Sequence, residues 1–408
     1  MDEEAKEHRE PGPFASASEF YLARLESLIS AYSTVLKAIS EKHLDARTQM
    51  ARLLRKHRKA FDGELDFEVY ERLTRKRRSI GHFMTALMMY QESNIVMLAS
   101  QFDVFLAMLL RAAFIAKPEL VDSSERNISL SQLQSFPSIA DARRHVIDRE
   151  IEAVLRGSRT DQFKWLESRT GLKLQLEKKL WGNFIEVNER RNLFVHTDGY
   201  VSPQYIQVCE AAGYVFSKGP PTVGAYLDAG PKYLGHAVSV FYEMGVKLAQ
   251  FLWRKLIPDK LDEADGSLVE IIYECLVHAR YGLVIRLTEF GLGLPKFGDA
   301  STRLYLTVNQ ALAKKLSGDS EGCAVVCRNV EWEILDARWQ LAHAVLRNDV
   351  EGAVRIMHRI GPNGDMQKGY YRHWPLFKEM RSMSAFAEAF KAVFGEPLVD
   401  IAEVARGN

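Results

Sequence analysis

The run Glu189-Arg190-Arg191-Asn192-Leu193-Phe194-Val195-His196-Thr197-Asp198-Gly199 sets an Arg-Asn pair just ahead of a lone histidine, where an apolar helical pattern stops. Arginine stays protonated in proteins, and its planar fork of donors fits a phosphate. Histidine takes or gives a proton near neutral pH. A permanent phosphate clamp beside a titratable imidazole is a minimal kit for cutting RNA. That chemistry needs no metal, because the ribose 2′-OH is the nucleophile. Arg190 adds a second cation for RNA, and on an ideal helix it points about 100° away from Arg191.

Helices must position these groups. Helical periodicity spans 163–196 and breaks at Asp198-Gly199, a stop signal. Pro203 excludes continuation, and the Gly/Pro-rich stretch from Gly219 to Pro231 predicts a long loop. A long helix follows from about Leu234 to Leu256. Upstream, 139–156 is amphipathic through Ala142, Val146, Ile147, Ile151, Val154 and Leu155, and short helices open at Ser129 and Pro137. The connection Pro118–Asn127 is polar. Residues 1–16 read as a disordered tail, and 17–79 as an N-terminal helical extension with a second helix over Phe67–Arg78. Phe83–Ala116 is strongly apolar, but Gln91, Glu92, Asn94, Gln101 and Asp103 interrupt it. No run of about 18 uncharged apolar residues remains, so a buried helix or helix pair is expected rather than a membrane span. Strand-like alternation is rare. The predicted class is all-α, with a bundle over 80–257.

Beyond Pro258 the pattern changes. Leu312-Ala313 with Gly318-Asp319-Ser320-Glu321-Gly322 recurs as Leu341-Ala342 with Asn348-Asp349-Val350-Glu351-Gly352. Each copy predicts a helix, a short polar turn and a second helix, and an earlier hairpin is expected around Leu268–Phe290. This resembles degenerate tetratricopeptide repeats, although the offset of about 30 falls short of the usual 34 or so. The segment from His373 through Phe394 reads as a terminal helix pair capping the 258–408 array.

Arg191-Asn192-Leu193-Phe194-Val195-His196 resembles the Arg-Asn-x-x-x-His motif of the HEPN family, the higher-eukaryote-and-prokaryote nucleotide-binding helical bundles. Ser100-Gln101-Phe102-Asp103-Val104-Phe105-Leu106 resembles that family's Ser-x-x-acid-x-Phe-Leu setting, with Asp where Glu is common. The resemblance covers roughly 80–250 and implies a metal-independent endoribonuclease with a composite site shared by a homodimer. In it His196 would activate the 2′-OH or protonate the leaving oxygen. Arg191 would hold the scissile phosphate and stabilise its developing charge. Asn192 would contact phosphate or fix the geometry, and Asp103 would orient Arg191 or His196. Proteins of this layout resemble toxins or phage-defence effectors of bacteria. Other members of the family bind nucleotides or partners without catalysis, and the repeats alone would suit a protein-binding adaptor.

Composition narrows the classes. Lys+Arg 54 against Asp+Glu 53 leaves a net charge of +1 over 408 residues, so any nucleic-acid surface must be local. Basic clusters at Arg52, Arg55, Lys56, Arg58, Lys59 and at Arg72, Arg75, Lys76, Arg77, Arg78 are candidates for an RNA track, although a charge run with acids between its parts usually reads as a solvated helix face. Four scattered cysteines and an N-terminus without an apolar h-region point to a reducing, cytoplasmic setting. Cys323-x3-Cys327 and Cys275-x2-His278 lack structural zinc spacing and read as core positions, so neither metal nor cofactor is expected. No GxxxxGK[ST], GxSxG or HExxH run occurs.

Overall fold

The fold is that of a computed structural model, which describes residues 11–56, 67–122, 129–174 and 176–398. It is all-α. Among the described residues only two isolated β-bridges occur, and no strand. The chain divides into two compact units between Leu256 and Ile257.

The first unit contains α1 (Pro13–Lys56), α2 (Phe67–Ala116), α3 (Glu119–Asp122), α4 (Leu130–Gln134), α5 (Ile139–Leu155), α6 (Arg159–Thr170), α7 (Lys178–His196), α8 (Pro203–Ala211) and α9 (Pro231–Leu256). Serine starts several of them. The side chains of Ser138, Ser158 and Ser202 each accept from a backbone N–H in the first turn, so an otherwise unpaired donor is satisfied. Helix α8 falls in a stretch to which the sequence pattern assigned no element. Pro203 does end the preceding run, but it also sits in the first turn after the Ser202 cap, where its missing N–H costs nothing. The periodicity over 163–196 is likewise two helices, separated at Gly171 with φ +62°.

Two further expectations are corrected. Helix begins at Pro13, so residues 13–16 are not tail, while 1–10 lie outside the described residues. The expected boundary at 79/80 falls inside α2, a single 50-residue helix. Nor is α1 an appendage. The Phe14 ring lies 6.0 Å from Trp253 of α9, Tyr21 stacks on Phe105 at 4.2 Å, and the Tyr21 hydroxyl donates to Phe241 O at 3.1 Å. Phe102, Phe184 and Phe241, with centroids 4.9–5.6 Å apart, bring α2, α7 and α9 together at the centre of this core.

Helices α1 and α2 form an antiparallel hairpin. Arg24 Nη1 donates to Gln101 at 2.8 Å, Tyr32 stacks on Tyr90 at 5.6 Å, and Lys76 donates to Gln49. Beyond Tyr32 on α1 and before Asn94 on α2, only Ala46 is buried among the described residues. The outer half of the hairpin is therefore an arm leaving the bundle. By length and hydropathy α2 would also suffice to cross a bilayer, and half of its most apolar window is buried inside the unit.

The second unit contains α10 (Leu261–Val277), α11 (Tyr281–Leu292), α12 (Thr302–Leu316), α13 (Ser320–Arg328), α14 (Ala337–Leu346), α15 (Val350–Ile360), α16 (Lys368–His373) and α17 (Ser384–Phe394). The first six make three hairpins with one turn geometry. Ala279, Gly318 and Asn348 each take positive φ, and the following N–H reaches back to Cys275 O, Lys314 O and Ala344 O at 2.8–2.9 Å. Asp319 and Asp349 then cap the next helix by accepting from Gly322 N and Gly352 N, both at 2.8 Å. That shared turn explains the repeated Gly/Asn-Asp-x-Glu-Gly sequence. Tyr371 gathers Phe377, Phe386, Phe390 and Phe394 into the terminal aromatic cluster.

Candidate functional site

Helix α7 buries Leu180, Phe184, Ile185, Val187 and Leu193, and it ends in a tight turn. Thr197 N and Gly199 N both donate to Leu193 O, at 2.8 and 3.1 Å. Asp198 and Gly199 have φ of +51° and +79°. A Cβ on Gly199 would lie 2.6 Å from the Tyr226 ring, so strain and space both select glycine. The loop beyond is held by Leu227 N to Gly199 O at 3.0 Å and Val201 N to Ala225 O at 2.9 Å. Tyr226 OH donates to Glu92 Oε1 of α2 at 2.5 Å. Burial, then the Glu92 carboxylate, pushes the Tyr226 phenol up.

The four motif residues meet different fates. Arg190, expected to contact RNA, is turned inward. Its Nε and Nη2 each lie 2.8 Å from Glu186 Oε1, its Nη1 donates to Asp228 O at 3.0 Å, and its guanidinium lies 3.8 Å from the Tyr233 ring centroid. Burial works against that charge, but Tyr233, Glu186 and Tyr205 outweigh it and hold the guanidinium above its ordinary range. Fully buried Glu186 also accepts from Tyr205 OH at 2.7 Å and Tyr233 OH at 2.8 Å, tying α7 to α8 and α9.

Arg191 has no such partner. Its Nη1 donates to Asn192 Oδ1 at 3.1 Å, and its buried Nε has no acceptor among the described residues. Asn192 Nδ2 in turn donates to Glu189 Oε1 at 3.3 Å. Burial raises the Glu189 carboxyl, and this bond opposes it. His196 is exposed at the last residue of α7. At about 1.5 Å of rise per residue it lies roughly 7.5 Å along the axis from Arg191. Helical spacing puts Glu189, Asn192 and His196 on one stripe, with Arg191 about 100° round from Asn192.

Asp103 is not bonded to Arg191 or His196. Arg159 takes it instead, pairing with Asp103 while donating to Asn188 Oδ1 at 2.8 Å and Gln162 Oε1 at 2.9 Å. The physical reason is reach. Arg159, 5.2 Å from the Phe102 ring centroid, fills the space where α2 approaches α7 at Asn188, one turn before Asn192. Among the described residues, Asp103 is linked to α7 through Arg159 and Asn188.

Sequence reasoning missed Arg159, Glu186, Tyr205 and the Tyr226–Glu92 bond. Glu186 left a signal, an acid inside the apolar run Phe184-Ile185-Glu186-Val187 with Arg190 four residues on. Arg159 left none, since Asp103 and Asn188 lie 56 and 29 residues away from it. All four cysteines are buried and free, and no group of three or more His, Cys, Asp or Glu suited to a metal occurs among the described residues. The site thus offers one uncompensated guanidinium, an amide and an exposed imidazole at a helix end. Compared with protein-family models, curated proteins and solved structures, the chain matches none.

Proposed function

We propose that the chain is a metal-independent endoribonuclease of HEPN type, acting as a homodimer with a composite site and suited to a toxin or phage-defence role. The observation that carries this reading is the contrast between neighbouring arginines. Arg190 is neutralised by a buried carboxylate, whereas Arg191 bonds only Asn192 and keeps a buried Nε unpaired among the described residues, and exposed His196 ends the same helix five residues on. An uncompensated guanidinium in a partly buried position favours an anion, and a phosphodiester supplies one.

In this reading Arg191 holds the non-bridging oxygens. His196 removes the 2′-OH proton, the 2′-oxygen attacks phosphorus, and the bond to the 5′-oxygen breaks. The second copy's histidine gives that oxygen a proton, leaving a cyclic phosphate and a free 5′-hydroxyl. For the second copy, exposed apolar side chains lie on α2, at Met97 and Val104, and on α7, at Val195. The three hairpins of the second unit are the proposed surface for a protein partner.

The test is cleavage of a long RNA in excess EDTA by wild type, Arg191→Ala and His196→Ala. Removing the general base or the phosphate clamp should cost about 100-fold or more. Cleavage that survives both substitutions, or that disappears from wild type in EDTA, refutes the assignment.

A further inference from the structure

The arm formed by the outer halves of α1 and α2 concentrates positive charge. Over 47–56, α1 carries Arg47, Arg52, Arg55 and Lys56 and no acid. Over 67–78, α2 carries Arg72, Arg75, Lys76, Arg77 and Arg78 against Glu68 and Glu71. Nine cations and two carboxylates give these residues a net charge of +7. Between them in sequence, residues 57–66 contribute Arg58 and Lys59 against three acids, so 47–78 is net +6 in a chain whose total is +1. The antiparallel pairing of Gln49 with Lys76 places both basic runs at the same level of the hairpin.

Little of this charge is used internally. Arg72 and Arg75 form exposed pairs with Glu68 and Glu71 at 2.5 and 2.7 Å, which stabilise the helix only slightly. Arg47, Arg52, Arg55, Lys56, Arg77 and Arg78 are exposed and have no carboxylate partner among the described residues. Ten helical residues span about 15 Å. A nucleic-acid duplex presents about nine phosphates over that length, at one charge per ~1.7 Å.

The arm also points away from the bundle at the right place. Helix α7 runs antiparallel to α2, since Asn188 meets Arg159 at the level of Asp103, and the loop after His196 reaches Glu92 through Tyr226. The candidate site thus ends where the hairpin leaves the bundle. From Glu92 to Arg78 and Arg72 is 14 and 20 residues of continuous helix, or about 21–30 Å.

We infer that this arm is a docking surface for the phosphate backbone of an RNA substrate, engaging it some 20–30 Å from the bond being cut; this rests on the ribonuclease reading. RNA fits better than a lipid surface. A membrane-surface helix puts its cations on one face and its apolar residues on the other. Here Arg75, Arg77 and Arg78 point in directions roughly 60–160° apart on α2. The least exposed apolar residues, Ala46, Met50 and Leu53 with Leu73 and Ile80, lie along the stripes by which the two helices pair.

The test uses the full chain carrying His196→Ala, so that RNA stays intact, with and without R47Q/R52Q/R77Q/R78Q. Binding to an RNA hairpin of about 24 base pairs is measured as a function of salt. Removing four cations should reduce the log–log salt slope by about 3–4 and weaken binding at least about tenfold near 0.1 M salt. The corresponding four Arg→Lys changes should restore both, excluding a folding defect. In chains that keep the native His196, a dinucleotide too short to reach the arm should be cleaved equally with and without the four Gln substitutions. Unchanged affinity and slope overturn the inference. So does arm-dependent binding to phosphatidylserine vesicles with arm-independent binding to the hairpin. Arm-dependent hairpin binding without any cleavage by wild type would sink the ribonuclease reading and leave the docking surface standing.

Discussion

Glu186→Gln tests whether the buried network behind the motif is an ion pair or merely a set of hydrogen bonds. The Glu186 side chain is 0% exposed and that of Arg190 13%. Glutamine keeps the shape but removes the carboxylate paired with the guanidinium, and it turns one acceptor into a donor aimed at tyrosine hydroxyls. Removing one partner of a buried pair typically costs about 3–5 kcal/mol, because the remaining charge stays buried without compensation. For a unit of this size each kcal/mol shifts Tm by about 2–4 °C, so a drop of roughly 6–20 °C is expected. The assay is thermal unfolding followed by circular dichroism at pH 7, taking the transition of the first unit if two are resolved. A double replacement, Glu186→Met with Arg190→Met, should be less destabilised than the single changes summed, by at least about 1 kcal/mol. A Glu186→Gln shift below about 2 °C, or strictly additive effects, would refute the reasoning and make the network dispensable.

Two other outcomes follow from backbone strain and from the tyrosine phenols around the motif. Ala279 holds a left-handed conformation at φ +55° where the equivalent turn has Gly318 at +89° in open space. Ala279→Gly should therefore stabilise the second unit by about 1 kcal/mol and Gly318→Ala destabilise it by a similar amount, read from urea midpoints. Burial first, then nearby Glu186 or Glu92, raises the Tyr205, Tyr233 and Tyr226 phenols in the folded chain. A raised folded pKa means their contribution is complete below the unfolded value of about 10 and is lost as pH climbs above it. The urea midpoint should fall above about pH 10, less steeply in Tyr226→Phe, and a midpoint flat to about pH 11 would contradict this.

Legibility varied with the range of the interaction. The α7 stop was readable because Asp198-Gly199 needs only local backbone conformations. The shared hairpin turn was readable because the cap and its left-handed residue lie within a few positions. The 79/80 boundary was misplaced because the composition changes there from basic to apolar, whereas pairing with α1 carries α2 straight through. Helix α8 was missed because Pro203 both ends one run and begins another. Asp103 looked like a partner for the motif because its setting is right in sequence. Arg159, 56 residues away, occupies it.

The amino-acid sequence by itself determined the helical class, since apolar residues recur at helical spacing and turn residues punctuate them. It also determined which side chains can carry acid–base and phosphate chemistry. Only the tertiary structure decided that Arg190 is internal and Arg191 uncompensated. Adjacent residues on a helix point about 100° apart, and what each one meets is set by Glu186, Tyr233 and the approach of α2, α8 and α9. It likewise decided that two basic runs separated in sequence become one charged arm, because antiparallel pairing brings them level and holds their shared charge away from the bundle.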